Sequence, residues 1–318
     1  MNILISGIHG FVGSNLVSEL KNKHSLFGLD ITSLHKNGII KTYNWSELRE
    51  IPSIDIIIHL AGKAHDTKNQ LKAEEYFNIN LGLTQKIFDY FLQSTATKFI
   101  FFSTVKAAAD TVDEILTEDA ILSPKGPYGE SKQAAEQYIL SRNSQLVTRN
   151  SQPNKKVYIL RPCMIHGPGN KGNLNLLYKV VKKGLPWPLG AYENKRSMVS
   201  IDNLTWIIQQ LIEKDVEPGI YHIADDEVVS TNEIIQLMAN SLDKKPRIWS
   251  FPKKMINGMA SIGNLLLLPL NQERLKKLTE SYVVSNKKIK RALSIEKLPV
   301  TASEGLIKTF NSFKSPSL

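Results

Sequence analysis

The chain opens on a short apolar run, Asn2 to Ser6, that leads directly into Gly7-x-x-Gly10-x-x-Gly13 and then a helix-compatible stretch from Ser14 to Leu20. A strand, a glycine turn and a helix in that order restrict the fold more than any other feature. Backbone N–H groups at the start of such a helix can meet a pyrophosphate, and only glycine lets the phosphate approach the turn closely. The pattern predicts the first unit of a doubly wound, dinucleotide-binding parallel sheet.

The rest of the N-terminal half continues that reading. Ser25 to Leu29 is a second apolar run, ending at Asp30. A carboxylate there accepts hydrogen bonds from both hydroxyls of an adenosine ribose and repels a 2′-phosphate, so Asp30 points to NAD; a solvated turn aspartate is the alternative. Ile54 to Leu60 is almost wholly apolar, as parallel strands covered on both faces should be, and it ends in Ala61 and Gly62, small enough for backbone to pass near a cofactor. Helical periodicity from about Leu71 to Leu92 precedes a buried strand, Lys98 to Phe102, that runs into Ser103 and Thr104. Hydroxyls just beyond the carboxyl end of a parallel strand lie at the ligand crevice.

A helix from Tyr128 to about Ser141 and a strand from Val157 to Leu160 follow, the latter ending in Arg161-Pro162. Beyond His166-Gly-Pro-Gly169 the alternation loosens into loops and short helices, with one more strand at Gly219 to Ile223. Ser230-x-x-Glu233 is a capping box opening a helix to about Leu242, and residues 311 to 318 look frayed. The expected architecture is α/β: a Rossmann-type doubly wound parallel sheet with a smaller C-terminal α/β substrate lobe. Residues 1–172 with about 198–228 form the NAD-binding part, and about 173–197 with 229–318 the lobe.

Tyr128 and Lys132 stand at i and i+4, on one face of their helix. A neighbouring ammonium favours phenolate and would draw the phenol, ordinarily near ~10, toward the range of general acid–base catalysis. Tyr128 is the candidate proton shuttle.

The formal charge of +10 raises nucleic acid, a membrane surface or a small anionic substrate as partners. No nucleic-acid-binding signature accompanies the scattered lysines, so most of the charge reads as solvated surface with a few arginines for phosphate. The single Cys163 excludes an internal disulfide, reads as a small thiol packed in a buried strand, and suits the cytoplasm. Met1-Asn2 leads straight into the first strand without a signal-peptide pattern, and the Leu265 to Leu270 run is far too short for a transmembrane segment. His59 lacks a partner at ligand spacing and reads as a core histidine, as do His9, His65, His166 and His222; no metal is expected.

Taken jointly, Gly7-x-x-Gly10-x-x-Gly13, Asp30, Asp55, His59-Leu-Ala-Gly62, Asn80 with Thr84, Tyr128-x-x-x-Lys132 and Arg161-Pro162 resemble the extended short-chain dehydrogenase/reductases over nearly the full length. Within them, the chain is similar to the NAD-dependent epimerase/dehydratase group acting on nucleotide sugars. The resemblance implies that Tyr128 is the acid–base, that Lys132 is its partner and also binds the nicotinamide ribose, and that Thr104, with Ser103 beside it, orients the sugar hydroxyl. It implies that NAD is held by Gly7, Gly10, Phe11, Gly13, Asp30, Asp55, Ala61, Gly62, Asn80, Lys132 and Pro162. Asn173, Arg196 and Arg274 fall where relatives contact a nucleotide diphosphate, and a bidentate guanidinium suits that group. It also implies a homodimer through the Tyr128 helix and the helix near Asn80 to Leu92, with Ala134, Ala135, Tyr138 and Ile139 supplying a face. A helix buried against its own sheet would show the same pattern.

One departure narrows the chemistry. Sugar 4,6-dehydratases carry an Asp-Glu pair directly after the catalytic hydroxyl, where this chain has Val105-Lys106, so dehydration is set aside. The Val-Lys variant looks like the branch holding UDP-N-acetylhexosamine 4-epimerase-like proteins and 4-keto-6-deoxy-sugar reductases. Epimerisation of a UDP-sugar at C4 is preferred slightly over reduction, because Asp30 suits a retained NAD. A regulatory protein keeping the fold without catalysis would lack the tyrosine or the lysine, and both are present.

Overall fold

The apolar runs assemble into one parallel sheet. The computed structural model describes residues 1–64, 72–148, 155–170, 172–265 and 272–314. In chain order the first half gives β1 (Asn2–Ser6), α1 (Phe11–Leu20), β2 (Ser25–Leu29), β3 (Thr42–Tyr43), β4 (Ile56–His59), α2 (Ala73–Gln93), β5 (Lys98–Phe102), β6 (Ile115–Leu116) and α3 (Gly126–Thr148). The second half gives β7 (Lys156–Pro162), β8 (Met164–His166), α4 (Asn173–Lys182), β9 (Met198–Ser200), α5 (Ile201–Glu213), β10 (Gly219–Ile223) and α6 (Thr231–Ser241). It closes with α7 (Lys253–Leu265), α8 (Gln272–Thr279), β11 (Val283–Val284), α9 (Lys287–Leu293) and α10 (Ala302–Ser312).

Seven strands pair in the order β3-β2-β1-β4-β5-β7-β10, all parallel. The winding reverses between β1 and β4, and in open α/β sheets that is where a ligand crevice opens at the carboxyl ends. Aligned register brings Ser6 beside both Leu29 and His59, and Phe102 beside Leu160. The chain segments that leave these strands therefore emerge along one edge.

Strand side chains alternate between two cores. Ile3, Ile5, Ile56 and Ile58 face Leu16, Leu204, Ile208 and Leu211 of α1 and α5. Leu4, Ile57, Phe99 and Phe101 face Ile87, Phe88, Ala135 and Ile139 of α2 and α3. Covering both faces with aliphatic and aromatic groups is what makes these strands read as continuous apolar runs. Ala135 and Ile139 are fully buried in the chain's own core, so of the expected dimer face these two side chains are spent on intrachain packing.

A third core unites Leu174 and Tyr178 of α4 with Ile235 and Met238 of α6, Ile256 of α7 and Leu306 and Phe310 of α10. The capping box at Ser230 and Glu233 is formed, and Thr301 with Glu304 forms a second one. α3 extends beyond the Ser141 expected from sequence to Thr148, because the polar run Ser141 to Gln145 interrupts its apolar stripe. Cys163 is buried and unpaired, and burial pushes its thiol far up. Among the described residues no helix is long and apolar enough to cross a membrane, and no cluster of metal-ligating side chains occurs. His65, residues 266–270 of the leucine run and the side chain of Arg274 lie outside what is described.

Candidate active site

The glycine loop is closed against itself and its neighbour. A Cβ on Gly13 would stand 2.3 Å from the Gly7 carbonyl oxygen, and one on Gly7 would stand 2.9 Å from the amide of Ala61. Gly7 also has φ of +72°, a conformation that side chains disfavour. α1 begins at an extended Gly10 with no side chain capping it, as α2 and α4 do at Lys72 and Gly172, whereas α5, α6 and α10 are capped by Ser200, Ser230 and Thr301. What sets α1 apart is the closed glycine loop before it, which lets a dinucleotide pyrophosphate approach its first amides. Asp30 stands at the end of β2 with its carboxylate beside the loop, accepting from the His9 amide at 3.2 Å and from the Ile31 amide at 2.8 Å. Phe11 packs toward Gly167 and Gly169 at the opposite flank of the loop.

The Ala61–Lys63 segment is fixed by a hydrogen-bond chain through His59. Thr84 gives its hydroxyl proton to the Asn80 carbonyl at 2.6 Å, so at 3.0 Å it accepts from His59 Nε2. His59 Nδ1 is then the bare nitrogen, accepting from Ser6 Oγ at 2.6 Å, and that hydroxyl accepts the Ala61 amide at 3.1 Å. Burial, then the Lys132 charge, holds His59 well below the ordinary histidine range, in keeping with a neutral ring. His59 is a satisfied core histidine that orders a loop.

Asn80 joins that loop to α3. It accepts from the Lys63 amide at 2.7 Å, donates to the Lys63 carbonyl at 3.1 Å and donates to Ser131 Oγ at 2.9 Å. A Cβ on Gly62 would lie 2.9 Å from Asn80 Oδ1 and 3.0 Å from Lys132 Nζ, so Gly62, Asn80 and Lys132 meet at one point.

At the end of β5 the two hydroxyls part company. Thr104 caps the 3-10 turn Val105–Ala107, and its hydroxyl lies near enough to the phenol of Tyr128 to favour the phenolate. Ser103 turns inward and donates to Glu136, which is also held by Arg161 at 2.9 and 2.5 Å. The expectation that Ser103 faces a substrate is corrected: its hydroxyl is buried in an ionic cluster behind the site.

Lys132 takes its partners from β5. Its Nζ donates to the Phe102 carbonyl at 2.7 Å and lies 4.9 Å from the centre of the Phe101 ring. Burial raises the phenol of Tyr128, with Thr104 opposing the shift and Tyr76 adding to it. Burial brings Lys132 down to about 8, against the opposing pull of Glu136. Desolvation outweighs the neighbouring charges at both groups.

Asp55 is a second correction. It precedes β4, at the amino edge, where it accepts the Asn2 amide at 2.7 Å. A four-residue strand separates it from the crevice, roughly 13 Å at the usual rise, so its place is in tying β1 to β4 and not beside a cofactor. Pro162 ends β7 at the carboxyl edge, buried and level with Ile223. Asn173 is exposed as the first residue of α4. Arg196 is half-buried between Val229 and Tyr282, and burial lowers its guanidinium despite Glu280.

Sequence reasoning passed over Glu136, whose signal was a carboxylate four residues after Lys132 on the inward face. It also missed Tyr282, whose hydroxyl donates to the Ala109 carbonyl at 2.7 Å and ties the lobe to the segment after Thr104. Lys106 is engaged as well, with Asp110 Oδ1 at 3.0 Å and the Tyr282 ring centre at 4.8 Å.

The model of the NAD dependent epimerase/dehydratase family matches residues 3–224, which span the glycine loop, Thr104, Tyr128 and Lys132. The chain belongs to that family. NAD is its cofactor, and it is an enzyme of the extended short-chain dehydrogenase/reductase type. A UDP-glucose 4-epimerase of Vibrio cholerae is 31% identical over 269 residues, covering 79% of this chain and 78% of the relative. A dTDP-4-dehydro-6-deoxyglucose reductase of Escherichia coli is 24% identical over 76% of this chain and 82% of its own. Among solved structures, a UDP-N-acetylglucosamine 4-epimerase from Bacillus cereus superposes with a TM-score of 0.76 over 99% of this chain and all of the other, at 17% identity, a likeness of fold. The family assignment agrees with the uncapped α1, the closed glycine loop and the Tyr128–Thr104 pair.

Proposed function

We propose that the enzyme carries out redox chemistry at C4 of a UDP-activated (N-acetyl)hexosamine, with 4-epimerisation as its net reaction. The observation that carries this reading is the meeting of Tyr128 with the Thr104 hydroxyl at the carboxyl edge, followed by residues that offer no acid pair for elimination. Lys106, in the place of such a pair, is bound to Asp110.

Thr104 orients the C4 hydroxyl and Tyr128 removes its proton, then returns it once C4 has been presented on its other face. NAD, when bound, accepts and gives back hydride at that carbon. Lys132 holds a positive charge below about pH 8 beside the Gly62–Asn80 junction, where a nicotinamide ribose would pass. Asn173 and Arg196, with Arg274 on α8, take the diphosphate. The Vibrio cholerae relative supports a 4-epimerase. We infer in addition that the enzyme works as a homodimer through outward faces of α2 and α3.

The second reading is NAD(P)H-dependent reduction of a UDP-4-keto-6-deoxy-hexosamine. Val105-Lys106 favours it, and the Escherichia coli reductase among the relatives supports it. Incubation with UDP-N-acetylglucosamine without added nicotinamide separates the two. Conversion to the C4 epimer is expected; no conversion, with NADH-dependent turnover of a 4-keto-6-deoxy substrate, establishes the reductase instead.

A further inference from the structure

The substrate lobe carries a surface that the chemistry above does not use. Residues 173–192 hold three lysines and 244–272 hold five basic residues, and neither stretch contains an aspartate or glutamate. The two stretches lie side by side. Lys244 Nζ donates to the Lys182 carbonyl at 2.5 Å and Arg247 to the Gly184 carbonyl at 3.1 Å. The Trp187 amide donates to the Arg247 carbonyl at 2.7 Å, and the Trp249 amide to the Trp187 carbonyl at 2.8 Å.

Large apolar side chains stand out among these charges. Leu185 is 53% exposed, Trp249 53%, Met255 43% and Met259 50%. Trp249 is no loose end: its amide and its carbonyl are both hydrogen-bonded across the ladder, to Trp187 and to Gly190, while the indole projects outward. On α7, Ile256 and Ala260 face inward and Met255 and Met259, one turn apart, face out, next to Lys253 and Lys254. A polyanion such as duplex DNA needs the charges but not the thioethers and the indole. A protein partner needs a shaped pocket, whereas a bilayer surface takes scattered apolar anchors between cations.

We propose that this face, formed by the Lys182–Leu185 segment, the Lys244–Trp249 segment and the start of α7, docks the enzyme on an anionic phospholipid surface. Trp249, Met255 and Met259 enter the interface, and the lysines lie among the acidic head groups. The Lys182–Leu185 segment lies at the carboxyl end of α4, ten residues and roughly 15 Å from Asn173 at the other end. The proposal goes beyond the sugar assignment and is read without turnover, so either can fail alone.

The test is sedimentation of the full chain with vesicles of phosphatidylcholine alone or with added phosphatidylglycerol. Partition is expected only onto the acidic vesicles, with a blue shift of tryptophan emission that disappears in Trp249→Phe. Trp249→Ser with Met255→Ser, and separately Lys245→Gln, Lys253→Gln and Lys254→Gln together, are each expected to weaken partition by about tenfold or more. Circular dichroism checks that both variants fold, and a single-site Met259→Ser stands in for either that does not. Absence of partition overturns the proposal, as does partition indifferent to the apolar changes. Equally strong binding to duplex DNA that ignores those changes replaces it with a polyanion site, and loss of self-association in their place with a contact between copies.

Discussion

Arg161 and Glu136 meet end to end behind the site, Nε to Oε1 at 2.9 Å and Nη2 to Oε2 at 2.5 Å, with 2% of each side chain exposed. Removing one partner of such a pair leaves an uncompensated charge in the core, at a cost of about 3–5 kcal/mol. Glu136→Gln is therefore expected to lower stability by roughly that amount in urea unfolding. A loss under about 1 kcal/mol would show that the pair is solvated in practice. Glu136 also supports the charge on Lys132, so in the same variant any alkaline limb of kcat that reports Lys132 moves to lower pH.

Lys132 is itself held against its preference. Its pKa falls from an ordinary 10.5 to about 8 through burial. Between those values the unfolded chain binds more protons than the folded one, so this lysine contributes stability that rises with pH from 8 to 10.5, and below 8 its charge is a burden. Lys132→Met is expected to abolish turnover yet to be more stable at pH 7 by about 1–2 kcal/mol, the lost bond to the Phe102 carbonyl offsetting part of the gain. Thermal unfolding at pH 7 checks it, and a destabilised variant would mean that the ammonium is better solvated than its burial implies.

Two buried histidines set the acid limit. Burial, then the Arg161 guanidinium, lowers His222 to about 4, and His59 also lies well below the usual range. As pH falls below 6.5 the unfolded chain takes up protons that the folded chain refuses, so stability is lost. For His222 alone the loss reaches roughly 3 kcal/mol by pH 4. Thr84→Val, which leaves the His59 Nε2 proton without its acceptor, is expected to cost about 1–3 kcal/mol and to weaken NAD binding by loosening the Ala61–Lys63 segment. Fluorescence titration of NAD would contradict this if affinity stayed unchanged.

The parallel sheet was legible because its strands are buried on both faces and its glycine loop needs a residue type that nothing else substitutes. The placement of Tyr128 and Lys132 on one helix and of Thr104 just beyond β5 was legible because spacing on a helix and position after a strand do not depend on distant contacts. Asp55 and Ser103 were misread for a common reason. Sequence shows that a polar residue borders a strand, but which end of the strand it borders, or whether it turns inward, depends on partners such as Asn2 and Glu136 that lie 53 and 33 residues away. The sign of the Tyr128 shift was missed because charge proximity can be read from spacing, while desolvation needs the packed surroundings.

Gly129, between Tyr128 and Glu130, ties the site to its backbone frame. A Cβ there would stand 2.6 Å from the Lys106 carbonyl oxygen and 3.3 Å from Pro124 Cβ. The first contact is with backbone in the 3-10 turn that Thr104 caps, so neither side yields by rotating a side chain. Gly129→Ala must push the first turn of α3 away from that turn, and Tyr128 and Thr104 face each other across the same gap. A displacement of this size is expected to lower kcat by about 10–100-fold and stability by roughly 1–3 kcal/mol. NAD affinity is expected to fall less than kcat, since the glycine loop follows β1 while only Lys132 and Ser131 of the α3 contacts share the displaced helix. Gly258→Ala is the matched control: on α7 its Cβ meets nothing within 4 Å, and helix propensity favours alanine by about 0.5–1 kcal/mol. Full kcat in Gly129→Ala would mean that Tyr128 and Thr104 keep their distance without this contact, and that the catalytic pair is positioned by Asn80 and Ser131 alone.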